Sequence, residues 1–194
     1  MPGHVGGSNW GGGAFDPETE VLYVPSVTGA FRVLLVPPRA ESDRQRYRGM
    51  RAPIEGPRGL PLTKPPYGRI TAIDLSGGEH LWMVPNGDGP RDHPAIKHLD
   101  LPPLGQPGRS MALVTKTLLF VSEGDSSMID TPTAGGGNKL RAFDKSSGEV
   151  VWETELPAGS TGSPMTYMHD GKQYIVTAIS SRSHPGEWVA LSLP

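Results

Sequence analysis

Residues 70–82 read Ile-Thr-Ala-Ile-Asp-Leu-Ser-Gly-Gly-Glu-His-Leu-Trp, and residues 140–152 read Leu-Arg-Ala-Phe-Asp-Lys-Ser-Ser-Gly-Glu-Val-Val-Trp. Six positions coincide at a constant offset of 70: Ala72/Ala142, Asp74/Asp144, Ser76/Ser146, Gly78/Gly148, Glu79/Glu149 and Trp82/Trp152. Each copy reads as a strand, a tight turn and a second strand. Asp accepts backbone N–H bonds within such a turn, and Gly supplies its positive φ. The closing Trp gives the second strand a large flat surface that needs a neighbour. A repeated hairpin with a docking Trp is the pattern of a radial β-propeller, in which each blade buries a face against the next.

The rest of the chain keeps this rhythm. Short β-branched, aromatic and aliphatic runs alternate with turn signals, among them Val21–Val24, Phe31–Val36, Leu118–Ser122, Met165–Met168, Gln173–Ala178 and Trp188–Leu193. No long window holds a 3.6-residue apolar period. Two Pro-rich stretches, 37–66 and 85–108, interrupt the runs and read as long loops. The first also carries arginines at 39, 44, 46, 48, 51 and 58. The reading is therefore all-β: a partial propeller of about three four-stranded blades, near residues 10–84, 110–154 and 164–194. The last blade lacks its outer strand. Propellers close with four or more blades, so the chain is expected to be part of a larger ring.

Composition narrows the function classes. The 194 residues include 26 glycines and 21 prolines and no cysteine, with a net charge of −2. Gly plus Pro is about twice average usage, which disfavours long helices. Without Cys there is no disulfide, thiolate zinc site, iron–sulfur cluster or haem attachment motif within these residues. The near-neutral charge argues against a nucleic-acid partner. Nothing approaches the ~18 apolar residues of a membrane span. Met1–Gly7 has neither a basic nor an apolar region, so it does not read as a signal peptide. The six histidines show no metal-like pairing.

At this point a resemblance emerges. The Ala-x-Asp-x-x-x-Gly-Glu-x-x-Trp pattern resembles the tryptophan-docking motif of quinoproteins, eight-bladed propeller dehydrogenases that use pyrroloquinoline quinone (PQQ) and calcium. Residues 159–174, Gly-Ser-Thr-Gly-Ser-Pro-Met-Thr-Tyr-Met-His-Asp-Gly-Lys-Gln-Tyr, resemble that family's last blade. Asn9-Trp10-Gly11-Gly12, Phe15-Asp16-Pro17, Leu22-Tyr23-Val24 and Lys64-Pro65-Pro66-Tyr67-Gly68 are also similar to it. The closing Val189-Ala190-Leu191-Ser192-Leu193-Pro194 is similar to the ends of the glucose, quinate and shikimate type. The match corresponds to the C-terminal third of the family's catalytic domain, whose last blade takes its outer strand from the N-terminal region.

The resemblance implies oxidation of a sugar, polyol or alcohol hydroxyl, with electrons passing to ubiquinone or another acceptor. It implies a periplasmic location, with membrane association through segments outside this chain. It also places the general base and the calcium ligands upstream, on the remaining blades. Asp16, Asp74 and Asp144 are then turn residues rather than the base. The candidates for cofactor contact follow the innermost strands: Asn9 and Trp10, an amide beside a ring; Ser26, with Thr28 near it; and Arg109 with Ser110. Arg109 offers a fork of donors suited to a carboxylate of the tricarboxylic cofactor. Here Pro25-Ser26 stands where relatives often place an amide, and Arg109-Ser110 stands where methanol-type relatives have Trp-Gly-Gly. The alternative reading is a non-catalytic propeller that uses the same docking motif as an assembly scaffold.

Overall fold

A computed structural model of the chain describes residues 6–8, 11–39, 45–124 and 136–192. Its strands form three larger antiparallel sheets and one ribbon. The first sheet has the order β1 (Ala14–Asp16), β2 (Val21–Val27), β5 (Gly68–Asp74), β6 (Glu79–Pro85). β3 (Phe31–Val36) and β4 (Arg48–Pro53) pair with each other as the ribbon. The second sheet runs β7 (Ala112–Val114), β8 (Leu118–Ser122), β9 (Lys139–Asp144), β10 (Val150–Glu155). The third has β11 (Met165–His169), β12 (Lys172–Ile179) and β13 (Glu187–Ser192). Two four-stranded blades and a three-stranded one match the expected partial propeller.

The loop expected at 37–66 differs in one respect. It contains β4, which pairs with β3 over six residue pairs, and the apolar run Phe31–Val36 belongs to this ribbon rather than to a blade. The first strand of that blade is instead the three-residue β1, which is too short to show as an apolar run. The 85–108 stretch is a loop with its own order. Residues 86–88 and 104–106 bond to one another through Leu104 N to Asp88 O, Gly105 N to Gly87 O and Gln106 N to Asn86 O. The resulting loop lies across Gly68, where an added Cβ would stand 2.0 Å from the Gln106 carbonyl oxygen. Only glycine permits that approach.

The blades pack face to face. Ala14, Val21, Tyr23, Ile70 and Ala72 from the first sheet meet Leu119, Val121 and Phe143 from the second. Leu140, Leu156 and Phe120 continue the core toward Ile179, Val189 and Leu191 of the third sheet.

The repeated hairpin explains how the first contact is keyed. In both copies the ladder slips by one residue just before the tryptophan, so Trp82 pairs with Ala72 and Trp152 with Ala142. A bulge of this kind re-aims the following side chain. Trp82 Nε1 donates to the Lys145 carbonyl at 3.0 Å, and the Trp82 ring covers Gly148. Gly148 has φ +75°, and a Cβ there would come within 2.8 Å of the ring. Tyr23 lies 5.7 Å from Trp82 and donates to the same carbonyl at 3.3 Å. Burial pushes the Tyr23 hydroxyl pKa up, which keeps it a donor. Asp74 and Asp144 each accept the N–H of the serine two residues on, at 2.8 Å, as turn residues do.

Lys145 completes the junction by pairing with Asp16 Oδ2 at 2.5 Å, a contact nearly closed to solvent. The Lys145 hydrogen bond holds the Asp16 carboxyl below its ordinary 3.8, aided by Thr19 Oγ1 and Glu18 N against the cost of burial. We predict that Lys145→Met costs about 3 kcal/mol at neutral pH, because it leaves a buried carboxylate without its cation. A carboxyl with a depressed folded pKa contributes stability that is present above pH 3.8 and lost as pH falls through the folded value. Urea unfolding of parent and variant should therefore differ most at pH 7 and converge below pH 3.8. A gap that persists in acid would assign the loss to packing instead.

Candidate functional site

Antiparallel pairing sorts the connections by end. The tight turns 17–20, 75–78 and 145–149 share one end, where Asp16, Lys145 and Trp82 meet. The long connections, β2 to β5, β6 to β7 and β8 to β9, leave from the other. Variable chemistry on a propeller belongs at the end where the chain has length to spend, so the second end is the candidate site.

Its centre is Asn86, fully buried just after β6. Asn86 Nδ2 donates to Ser110 Oγ at 2.8 Å and to the Ser122 carbonyl at 3.0 Å. Asn86 Oδ1 is buried with no hydrogen-bond partner among the described residues. Ser110 Oγ in turn reaches the Glu123 carbonyl at 3.3 Å. The amide thus ties the end of one blade to the start of the next. Gly124, at φ +79°, lets the β8–β9 connection pass the backbone of Arg109, whose carbonyl oxygen would lie 2.1 Å from an added Cβ.

Beneath this node lies a charged cluster. Arg141 pairs with Glu123 at 2.7 Å and with Glu153 at 3.0 Å, and Lys139 pairs with Glu153 at 2.8 Å. The Arg141 and Glu123 side chains are only 4% and 8% exposed. Glu153 stands directly across the ladder from Arg141, and Glu123 continues β8 on the same face. Lys139 holds the Glu153 carboxyl below its ordinary value, while Glu153 holds Lys139 above its own. Glu123 also braces the loops, since added Cβ atoms at Gly87 and Gly137 would meet its carboxylate.

Two hollows open nearby. One, of 270 Å³, lies between the second and third sheets and is lined by Gly124, Gly136, Gly137 and Asn138 on one side and Gly159, Ser180 and Ser181 on the other. The other, of 460 Å³, lies on the face of the first sheet turned away from the second; Val24, Ser26, Arg69, Thr71 and Met83 are among its lining.

The sequence candidates fall into separate places. Asn9 and Trp10 lie outside the described residues. Ser26 faces the 460 Å³ hollow, and Thr28 Oγ1 accepts from Arg69 at 2.7 Å. Ser110 is engaged by Asn86 and the Glu123 carbonyl. Arg109 is partly buried, and its guanidinium has no hydrogen-bond or ion-pair partner among the described residues. The structure brings Arg109 and Ser110 to one node and leaves Ser26 on the opposite face of the first sheet. Asn86, Glu123 and Arg141 were not legible as site residues. The available signal was Arg141, a charge inside the apolar run Leu140–Phe143. No three His, Cys, Asp or Glu side chains gather as a metal-holding group among the described residues.

Comparison with known proteins agrees with the fold. Residues 1–175 match the family model for the PQQ glucose/ethanol/alcohol dehydrogenase β-propeller domain. A probable quinate dehydrogenase (quinone) of Xanthomonas campestris pv. juglandis is 33% identical over 220 residues, covering 100% of this chain and 27% of that protein. The quinoprotein glucose dehydrogenase of Escherichia coli is 30% identical over 95% of this chain and 24% of its own length. The chain thus spans about a quarter of the length of these relatives. The solved quinohemoprotein alcohol dehydrogenase of Comamonas testosteroni superimposes with a TM-score of 0.62 at 20% identity, over 98% of this chain and 27% of that one, which supports the fold. By its docking repeat, its blades and this match, the chain belongs to the PQQ-dependent dehydrogenase β-propeller family.

Proposed function

We propose that this chain supplies blades to a PQQ-dependent dehydrogenase that oxidises a sugar, polyol or alcohol hydroxyl. The observation that carries the reading is the Arg109 fork, which lacks a hydrogen-bond or ion-pair partner among the described residues and stands at the long-connection end of two docked blades. A guanidinium with no carboxylate paired to it among the described residues is suited to an anionic ligand. The glycine-lined hollow begins at Gly124, which packs on the Arg109 backbone, and admits a flat body close to the main chain. These features fit a planar tricarboxylate, so Arg109 would hold one cofactor carboxylate. Asn86 and Ser110 would fix the loop that presents it.

PQQ, when bound, supplies the acceptor for the hydride of the substrate C–H bond. The chain's own part is to bind and orient: Arg109 anchors, Asn86 and Ser110 position, and the packed blades exclude water from beneath. The proton of the hydroxyl and a calcium ion would be handled by residues of other blades. Electron delivery to ubiquinone or a similar acceptor and a periplasmic location belong to the same proposal.

The test is dye reduction by the intact protein with added PQQ and calcium, using glucose, quinate and glycerol as substrates. We expect turnover that requires PQQ. Arg109→Ala should raise the PQQ concentration for half-maximal rate about tenfold, the size of one charge-assisted contact. An intact protein that neither turns over nor changes the PQQ absorbance would favour the scaffold reading. An unchanged PQQ requirement in Arg109→Ala would remove that residue from the site.

A further inference from the structure

Among the described residues, the β3–β4 ribbon is the part of this chain that its own blades do not take up. Its strands pair with each other and, among the described residues, with no blade, and the bond from Ile54 N to the Ala30 carbonyl closes its base. An isolated two-stranded ribbon is marginal in water. This one turns aliphatic side chains outward on both faces. The register places Val33 and Leu35 on one face, 58% and 75% exposed, and Leu34 and Met50 on the other, 37% and 39% exposed.

The charge is equally one-sided. Neither strand contains a carboxylate, and residues 31–58 hold seven arginines against three acids in a chain of net charge −2. Arg32 and Arg46 are exposed, and the Arg46 guanidinium lies 5.6 Å from the centre of the Tyr47 ring. Aliphatic tips, a half-exposed tyrosine and flanking arginines are the composition that settles at a bilayer interface. The apolar groups enter the acyl boundary while the guanidiniums stay with the phosphates. A fluid surface can wet both faces of a thin ribbon together, whereas a folded partner would cover one. That difference favours lipid over an acidic protein.

We propose that the β3–β4 ribbon docks this protein on an anionic lipid surface. Val33, Leu34 and Leu35 insert shallowly, and Arg32 and Arg46 pair with headgroup phosphates. The interaction is independent of PQQ and of turnover.

The test places a reporter in the ribbon of the intact protein. The chain's tryptophans are at 10, 82, 152 and 188, so Leu35→Trp adds an emission read by difference from the parent. Vesicles of phosphatidylcholine with phosphatidylglycerol should shift that emission to the blue, and phosphatidylcholine alone should not. Adding Arg32→Glu and Arg46→Glu should weaken the vesicle response roughly tenfold or more, since each basic residue near an anionic surface contributes. Raised salt should weaken it as well.

Three results would overturn the proposal. A reporter already blue-shifted in buffer would mean that the rest of the protein covers the ribbon. A shift of equal size on neutral vesicles, indifferent to the arginines, would remove the anionic surface. A shift with soluble polyglutamate but none with vesicles would assign the ribbon to an acidic protein.

Discussion

Trp82→Ala is expected to lower the unfolding free energy by about 4 kcal/mol, the middle of the range for emptying a packed aromatic site. Three losses coincide at that position. The ring leaves the face of Gly148, its Nε1 donor leaves the Lys145 carbonyl, and Tyr23 loses its aromatic neighbour. The cavity also lies between two sheets, so neither can collapse into it alone. Gly148→Val should approach the same cost from the other side, because a Cβ there meets the ring at 2.8 Å and φ is +75°. Tyr23→Phe removes one bond at the edge of the same junction and should cost about 1 kcal/mol. Urea midpoints of the intact protein rank the three. A Trp82→Ala loss no larger than that of Tyr23→Phe would mean that the repeated tryptophan does not key the blades together.

Arg141→Leu is the second large effect, at about 3–5 kcal/mol. Arg141 and Glu123 are buried between the first two sheets beneath the candidate site. Removing the cation strands the Glu123 carboxylate, whose position also braces Gly87 and Gly137. Glu153 keeps Lys139 and is spared. The double variant Arg141→Leu with Glu123→Leu should be more stable than Arg141→Leu alone, because two apolar groups leave no unpaired charge. The cycle of single and double variants isolates that coupling. Arg141→Lys should not restore the parent, since one ammonium cannot reproduce two separately directed guanidinium contacts. If the double variant is as unstable as the sum of the singles, the cluster contributes through packing rather than charge.

These two positions show what sequence could and could not reveal. Trp82 announced itself because the same side chain recurs seventy residues on, after the same Asp and Gly, and repetition reports packing without any knowledge of contacts. Arg141 did not, because its partner Glu123 lies eighteen residues away across a ladder, and within the repeat Arg141 aligns with Thr71, so the charge does not recur. Asn86 follows a proline and precedes a glycine, so it reads as a turn, although it is fully buried and joins two blades. Phe31–Val36 is as apolar as any core strand, yet it sits in an exposed ribbon. Hydrophobic pattern identifies a strand but not the sheet that takes it. β1 failed in the opposite way: three residues carry no period, and only the partner strand β2 makes them a blade edge. Arg109 was legible as a charge opening a blade, but its place at the long-connection end, without a partner among the described residues, required the fold.

The central claim is that the long-connection end of these blades holds PQQ, anchored by Arg109. The most direct measurement is a crystal structure of the intact protein loaded with PQQ and calcium. The account predicts cofactor density at that end, with a carboxylate within hydrogen-bond reach of the Arg109 guanidinium and Asn86 still bonded to Ser110. Density at the tight-turn end, beside Trp82 and Lys145, or a cofactor that leaves Arg109 without contact, would contradict it.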